Sequence, residues 1–321
     1  MGIRLIRQDT RYRFLEWRRV FAGISIAAIL ASILLFLVQG LNYGVDFAGG
    51  TLIMAEKPQE LDVAAVRAVV TELGVGPVMV TEVGDPAGTA RNAFMMRLGI
   101  AGEDPDSQRA IVTEVQSALN AAFPGISYLQ VDAVGAAVSA ELVRAGILAV
   151  VSAVAAILFY IWIRFEWQFS VAAVIALVHD VALTIGMFSL LQLEFNLAIV
   201  AAILTIVGYS LNDTVIVFDR VRENLRKFKK MPLVELLNLS VNNTLSRTIM
   251  TSGTTLMALI ALYILGGDVI RGFTFAMIWG ILIGTYSSIF IAAPTLMWFG
   301  VKRDWSKPDA AAGTEFSKID A

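Results

Sequence analysis

The chain has 321 residues, 57% of them hydrophobic and only 16% charged, with a mean hydropathy of +0.71. That balance excludes an ordinary soluble protein and makes a bilayer its solvent. The net charge of −2 and a pI near 5.6 give no footing for nucleic acid as a partner, and the lack of cysteine together with a single histidine, His179, leaves no basis for a disulfide, a metal site or a cofactor.

Crossing about 30 Å of hydrocarbon takes about 20 apolar residues, and six runs in the sequence are long enough. A basic segment, 1–19, precedes the first run, 20–39, which is uncharged. This run exceeds the apolar core of a signal peptide, and "LVQGLNYG" offers no small-x-small cleavage site, so it is expected to stay as an anchor.

Residues 40–144 have the composition of a soluble domain. "GTLIMAE" (50–56) reads as a strand, "LDVAAVRAVVTELG" (61–74) as an amphipathic helix and "PVMVTEVG" (77–84) as a strand. After the turn-rich "DPAGTARN" come a strand (93–99), a helix (106–123) and a strand (126–134). The order predicts a βαββαβ, ferredoxin-like α+β domain. In "VDFAGGT" (45–51), Gly49 and Gly50 lack the Lys-Ser/Thr of a phosphate loop, so Asp46, Gly49 and Gly50 read as a structural motif at a tight bend.

The remaining runs, 145–163, 169–193, 195–217, 248–267 and 272–301, make a five-helix bundle over 145–301, followed by a tail, 302–321, expected to be flexible. The fold class is therefore a polytopic α-helical membrane protein with six spans and one domain between the first and second. Arginine and lysine set its orientation. They crowd the segment before the first span (Arg4, Arg7, Arg11, Arg13, Arg18, Arg19), the link between the fourth and fifth (Arg220 to Lys230, and Arg247) and the tail (Lys302, Arg303, Lys307, Lys318). Both termini are thus expected in the cytoplasm and the domain on the opposite side. Gly280 and Gly284 in the last span have the spacing of a close helix contact.

An aspartate at mid-span costs roughly 2.5 to 3.5 kcal/mol on insertion scales, yet Asp213 and Asp180 both fall inside spans. Thr205, Tyr209 and Asp213 recur at i, i+4 and i+8, with Gly208 and Asn212 alongside and Thr214 next in the chain. The fifth span opens with Arg247 and continues a polar stripe through Thr251, Thr254 and Thr255. The fourth and fifth spans are antiparallel, so Asp213 and Arg247 are expected to approach. Desolvation then favours the neutral acid while the guanidinium favours the carboxylate, the setting in which an acid carries a proton. His179 and Asp180 are a second candidate, although neighbours on a helix point about 100° apart and are not expected to share one narrow face. Asp219 lies among the charges beyond the fourth span, where Asp219–Arg222 and Glu223–Lys227 spacings suit an exposed helix. Glu194, at a turn, is expected to be solvated.

The segments "YGVDFAGGTLI" (43–53), "VGAAVSAEL" (134–142), the "HD" of the third span, "LNDTVIVFDRVREN" (211–224) and "NNTLSRTIMTSGTT" (242–255) resemble the SecD/SecF family, a relative of the resistance-nodulation-division transporters. The resemblance spans nearly the whole chain. It implies a non-enzymatic subunit that pairs with SecD, associates with the SecYEG channel, and uses proton-motive force to promote late export of unfolded polypeptides across the bacterial inner membrane, with H+ as coupling ion and Na+ as the alternative. The domain would then be periplasmic. The family's intramembrane acid falls on Asp213 and its cation on Arg247. From the residues themselves, Asn212, Thr214 and Thr251 join these two as the proton-coupling set, with Asp180, His179 and Asp219 secondary. A small-molecule or lipid exporter of the resistance-nodulation-division type shares the buried acid but predicts two large loops and about twelve spans in one chain, so one loop and six spans would make this chain half of such an exporter. An intramembrane aspartyl protease using Asp180 and Asp213 would carry GxGD, and Asp213 follows "SLN". A purely structural assembly subunit is a third alternative.

Overall fold

The computed structural model describes residues 10–57, 62–76, 78–83, 92–99, 105–267 and 269–301. The expected turn at 85–92, apart from Asn92, the tail at 302–321 and Arg4 and Arg7 lie outside these residues. Among the described residues six helices are long and apolar enough to cross a membrane, as a polytopic membrane protein requires.

A short 3-10 turn, Phe14–Trp17, leads into α1 (Arg18–Gln39). The turn is pinned to a later helix: Asn238 Oδ1 accepts from Leu15 N, and Asn242 exchanges hydrogen bonds with the backbone of Tyr12. Helix α1 buries only its serines, Ser25 and Ser32, because in lipid the apolar side chains have no reason to turn inward and small residues permit close approach. It stops at Gly40, whose φ is +71°.

The chain then forms β1 (Asn42–Tyr43), the single turn α2 (Val45–Ala48) and β2 (Gly50–Lys57), followed by α3 (Val63–Glu72), β3 (Val78–Val83), β4 (Asn92–Leu98), α4 (Pro105–Ala122) and β5 (Ser127–Val134). The four longer strands make one antiparallel sheet in the order β3-β4-β2-β5. Strand β2 is central, and its register with β5 shifts between Met54 and Ala55. Val66 and Val70 of α3 and Val115 and Leu119 of α4 join Ile53, Phe94 and Met96 in the core of this sheet domain. Asp62 caps α3 by accepting from Ala64 N at 2.8 Å.

Helices α5 (Ala136–Arg164), α6 (Trp167–Leu191), α7 (Leu197–Lys227), α8 (Leu233–Leu265) and α9 (Arg271–Ser287) complete the bundle. Helix α9 continues through a π segment, Ser288–Ala292, into α10 (Ala293–Trp298). About half of the membrane-spanning stretch of α6, α7 and α9 is buried (50%, 50% and 56%) against 11%, 6% and 11% for α1, α5 and α8. The first three are therefore the core, and anything that must be hidden from lipid has to sit among them. Glycine allows the tightest contacts: a Cβ on Gly280 would overlap Ile206, one on Gly284 would come to 2.9 Å of Ser210 Cβ, and one on Gly186 would overlap Ser32.

Helix α7 runs past the apolar stretch that ends at 217, and α8 starts well before 248. The two continue as an antiparallel pair joined by polar side chains, with Asn224 of α7 donating to Ser240 of α8 at 2.9 Å. At the other end of α7, the start expected at 195 is displaced by a strand. Glu194 and Phe195 form β6, which pairs in parallel with β1.

This junction fastens the sheet domain to the bundle. Arg97 of β4 pairs with Glu194 at 2.8 Å and donates to Asn42 Oδ1 at 2.8 Å. Glu194 is only 18% exposed and paired, so the solvated state expected for it does not hold, because the returning sheet covers the turn with a cation. Asp46 accepts from the N–H of Leu197 at 2.9 Å, placing a carboxylate at the positive end of α7. Gly40 O takes a hydrogen bond from Ser189 at 2.7 Å.

Two outcomes follow. Gly280→Leu should lower the thermal midpoint of the detergent-solubilised chain by the equivalent of about 1 to 3 kcal/mol of overpacking, whereas Gly208→Ala, where a Cβ meets nothing within 4 Å, should leave it unchanged. Arg97→Ala and Glu194→Gln should each raise limited proteolysis between 40 and 50 several-fold, and the double variant should be no worse than either single one; additive effects would show that the pair does not act together.

Candidate functional site

Helix α7 turns one stripe inward, through Ile203, Ile206, Val207, Ser210, Asp213, Thr214 and Val217. Asp213 sits on the edge of this stripe and is 8% exposed. Its carboxylate is met by two hydroxyls: Thr248 Oγ1 of α8 donates to Oδ1 at 2.5 Å, and Ser288 Oγ, the first residue of the π segment, donates to Oδ2 at 2.5 Å. Arg247 is not in contact with it. The guanidinium lies on the exposed side of α8, where it acts on Asp213 only through space, and among the described residues Asp213 has no ion pair. Neighbouring residues on a helix diverge by about 100°, so presenting Thr248 inward turns Arg247 outward.

This correction changes the chemistry. A guanidinium can only donate and would hold the acid ionised, whereas a hydroxyl both donates and accepts. Thr248 and Ser288 can satisfy Asp213 with or without its proton.

The other members of the expected set separate. Thr214 is buried; Asn212 is exposed, and so are Thr205, Thr251 and Thr254, whose hydroxyls return to their own helix backbones. Tyr209 reaches Thr255 at 3.4 Å. The polar stripe expected to face Asp213 therefore lies on the open side of α7 and α8. The buried hydroxyls of these two helices are Ser210, Thr214, Ser240, Thr244, Thr248 and Ser252.

Asp180 of α6 is fully buried and has three partners. His179 Nδ1 lies 2.9 Å from Oδ1, while Ser210 Oγ of α7 and Ser287 Oγ of α9 donate to Oδ2 at 2.5 and 2.8 Å. The expectation that His179 and Asp180 would diverge fails, since the imidazole folds back on its neighbour and both are shielded from solvent. The ring of His179 stacks on Tyr286, 5.8 Å between centroids, and Tyr286 Oη is 2.9 Å from Ser25 Oγ of α1.

Four consecutive residues of the last span thus organise the bundle. Thr285 meets Ser252 of α8 at 2.7 Å, Tyr286 meets His179 and Ser25, Ser287 holds Asp180 and Ser288 holds Asp213. Such fan-out is available where an α-helix passes into a π segment, a local irregularity often found at functional sites. The signal for it in the sequence is "TYSS", a hydroxyl cluster in an otherwise apolar span close to Gly280 and Gly284.

The secondary and structural candidates have plain roles. Asp219 is 45% exposed and pairs with Arg164 at 3.3 Å and Arg222 at 3.8 Å, with both guanidiniums over the Phe165 ring. Gly49 and Gly50 have φ of +71° and +111°, and a Cβ on Gly50 would overlap the carbonyl of Leu98. The bend between α2 and β2 thus needs glycine. A crevice of about 490 Å³ beside α5, lined by Tyr43, Phe47, Val143, Ile147, Ile185 and Phe195, is apolar and offers no carboxylate, amine or imidazole. Among the described residues no group of three His, Cys, Asp or Glu is placed to hold a metal ion.

Residues 114–302 match the family described as protein export membrane protein SecD/SecF, C-terminal, and residues 34–53 match the SecD/SecF GG motif. The chain is 48% identical over 320 residues to a protein translocase subunit SecF of Cereibacter sphaeroides, covering 99% of each, and 47% identical to that of Rhodobacter capsulatus, covering 96% of this chain and 94% of the relative. Its structure is similar to that of SecDF, described as a translocon-associated membrane protein, from Thermus thermophilus, with a TM-score of 0.80 and 35% identity. That match covers 92% of this chain but only 39% of the solved one. By its sequence and its fold, the chain belongs to the SecD/SecF family of protein-export membrane proteins.

Proposed function

We propose that this chain is an accessory subunit of the Sec export machinery, paired with SecD in the bacterial inner membrane and driven by proton-motive force to draw unfolded polypeptides through the SecYEG channel. The supporting observation is Asp213, a carboxylate at membrane depth whose two contacts are neutral hydroxyls able to serve both its charged and its uncharged form. The names of the relatives support the export role, and the solved SecDF, of which this chain matches 39%, supports a partner of SecD type.

The exposed polar stripe supports the pairing as well. Thr205, Gly208 and Asn212 of α7 and Arg247, Thr251 and Thr254 of α8 would face hydrocarbon in the lone chain. An arginine there is costly without a polar neighbour, and the small residues suit close approach of another helix. In this reading Arg247 serves the interface, within electrostatic range of Asp213.

The sheet domain, ferredoxin-like in this reading, lies on the periplasmic side, and basic residues of the α7–α8 turn and both termini lie in the cytoplasm. A proton reaching Asp213 from outside removes the demand for two donors. Thr248 and Ser288 are then free to reorient, and α8 and the π segment shift against α7. Helix α7 carries that shift to its first residue, Leu197, which is held by Asp46, and to β6, which is paired with β1 and Arg97. The domain moves with the acid's state, alternately holding and releasing an emerging chain. Each elementary charge crossing 100 mV supplies about 2.3 kcal/mol, enough to shift a two-state balance by roughly fifty-fold.

Asp213→Asn should still co-purify with SecD but should lose the stimulation of export by proton-motive force in membrane vesicles, falling to the level of vesicles without the complex. Normal stimulation by that variant would refute the proton role. Arg247→Ala should leave the thermal midpoint of the isolated chain within about 0.5 kcal/mol of the parent while reducing recovery of SecD after mild solubilisation; a destabilised lone chain with undiminished pairing would return Arg247 to an internal role.

A further inference from the structure

The mechanism above uses Asp213 and leaves a second, more deeply buried acid without a task. Asp180 is 0% exposed and His179 is 1% exposed, and together they hold the one imidazole of the chain against a carboxylate in the middle of a span. A pair that served packing alone would have its polar atoms satisfied. Here, among the described residues, His179 Nε2 is buried without a hydrogen-bond partner, although Nδ1 is engaged by Asp180. With Nδ1–H donating to the carboxylate, Nε2 carries a lone pair aimed at nothing. That lone pair can accept a proton.

We propose that His179 and Asp180 form a second proton-holding site, and that adjacent hydroxyls, Ser287 and Ser288, link its charge state to that of Asp213. The proposal rests on the reading that Asp213 exchanges a proton. A proton taken at Nε2 yields an imidazolium beside the Asp180 carboxylate; moved to Oδ1, the same proton leaves a neutral imidazole and a carboxylic acid. Either way the pair gains one proton and becomes neutral, and no other reactant is consumed.

The link is geometric. Ser287 donates to Asp180 and Ser288 to Asp213, so two acids on different helices depend on neighbouring residues of one chain segment. That segment is where α9 becomes a π segment, and its backbone cannot move one serine without moving the next. When Asp180 no longer needs Ser287 as a donor, the donor offered to Asp213 changes too. Ser210 strengthens the connection, because it donates to Asp180 from α7, the helix that carries Asp213. The groups facing the pair are Ser210 from α7, Ser287 and Tyr286 from α9, and, through Tyr286, Ser25 from α1. Of these only Tyr286 is titratable, the π segment and α10 packed on α6 carry no titratable side chain, and among the described residues no charged side chain of any helix, α5 included, forms an ion pair with His179 or Asp180 beyond the one they share. Asp213 is therefore the acid with which the pair can communicate.

Infrared difference spectroscopy of the full chain in complex with SecD, in lipid nanodiscs, tests this by following carboxyl C=O bands as pH is varied. Bands are assigned by their loss in Asp180→Asn and Asp213→Asn. The expected result is that each of these variants moves the transition of the remaining acid by about one pH unit or more, and by the same amount in both directions. Ser287→Ala keeps both acids and should reduce that mutual shift; it also serves if Asp180→Asn does not fold. His179→Gln should abolish the imidazole ring signals that accompany the Asp180 step. An Asp213 transition that overlays the parent in both Asp180→Asn and Ser287→Ala would overturn the link, and an Asp180 that keeps one protonation state across the pH range would overturn the second site. A parent complex in which Asp213 itself shows no transition would overturn the proposed function and the link with it, which separates the two failures.

Discussion

A carboxylate in hydrocarbon must be met by hydrogen-bond donors, and the rest of this structure is arranged around the donors that meet Asp180 and Asp213. All of those supplied by other helices are hydroxyls. A buried ion pair would recover more Coulomb energy but would commit each acid to its charged form. Serine and threonine stabilise less strongly and leave the protonation state open. They are also short, so the helices bearing them must come close. This is why Gly280 and Gly284 face Ile206 and Ser210, and why the α7–α9 contact has no room for larger residues.

The same constraint connects the membrane bundle to the sheet domain. Helices α6 and α7 hold one acid each, and the turn between them contains β6 and Glu194. The pairing of β6 with β1, the Arg97–Glu194 ion pair and the Asp46 carboxylate at Leu197 N all bear on that turn. Any displacement of α6 against α7 is thus delivered to the point where the domain is attached. Aromatic packing of Tyr43, Phe47 and Phe195 stiffens the junction.

Hydropathy made the number of spans readable, because lipid imposes a minimum length on each apolar run. Strand and helix positions in the sheet domain were readable from their different periodicities. Facing was not. In water the apolar stripe of a helix marks its buried side, but in lipid both sides are apolar and the rule fails. The stripe through Thr205, Gly208 and Asn212 looked like the inner face of α7 and is its open one, while Ser210, four residues before Thr214, points inward. The role of Ser287 and Ser288 was hidden for another reason. An α-helical wheel cannot foresee a π segment, so two consecutive residues reaching different helices fell outside the periodic reading. The state of Glu194 is not legible in the sequence because its partner, Arg97, is distant along the chain and is brought near only by the return of the sheet. The acids themselves were conspicuous, since any charge in such runs stands out.

The fastening between β1 and β6 has a consequence for how the chain is made. Asn42 and Gln192, which share a hydrogen bond at this junction, are 150 residues apart. Synthesis runs from the amino end, so the domain emerges and can fold on its own core before the residues that seat it exist. Its docking must wait for the third helix to enter the bilayer, and until then only α1 tethers the domain from the amino-terminal side. Assembly on the ribosome therefore has a built-in order, in which seating the domain reports that the helix carrying Asp180 has been inserted.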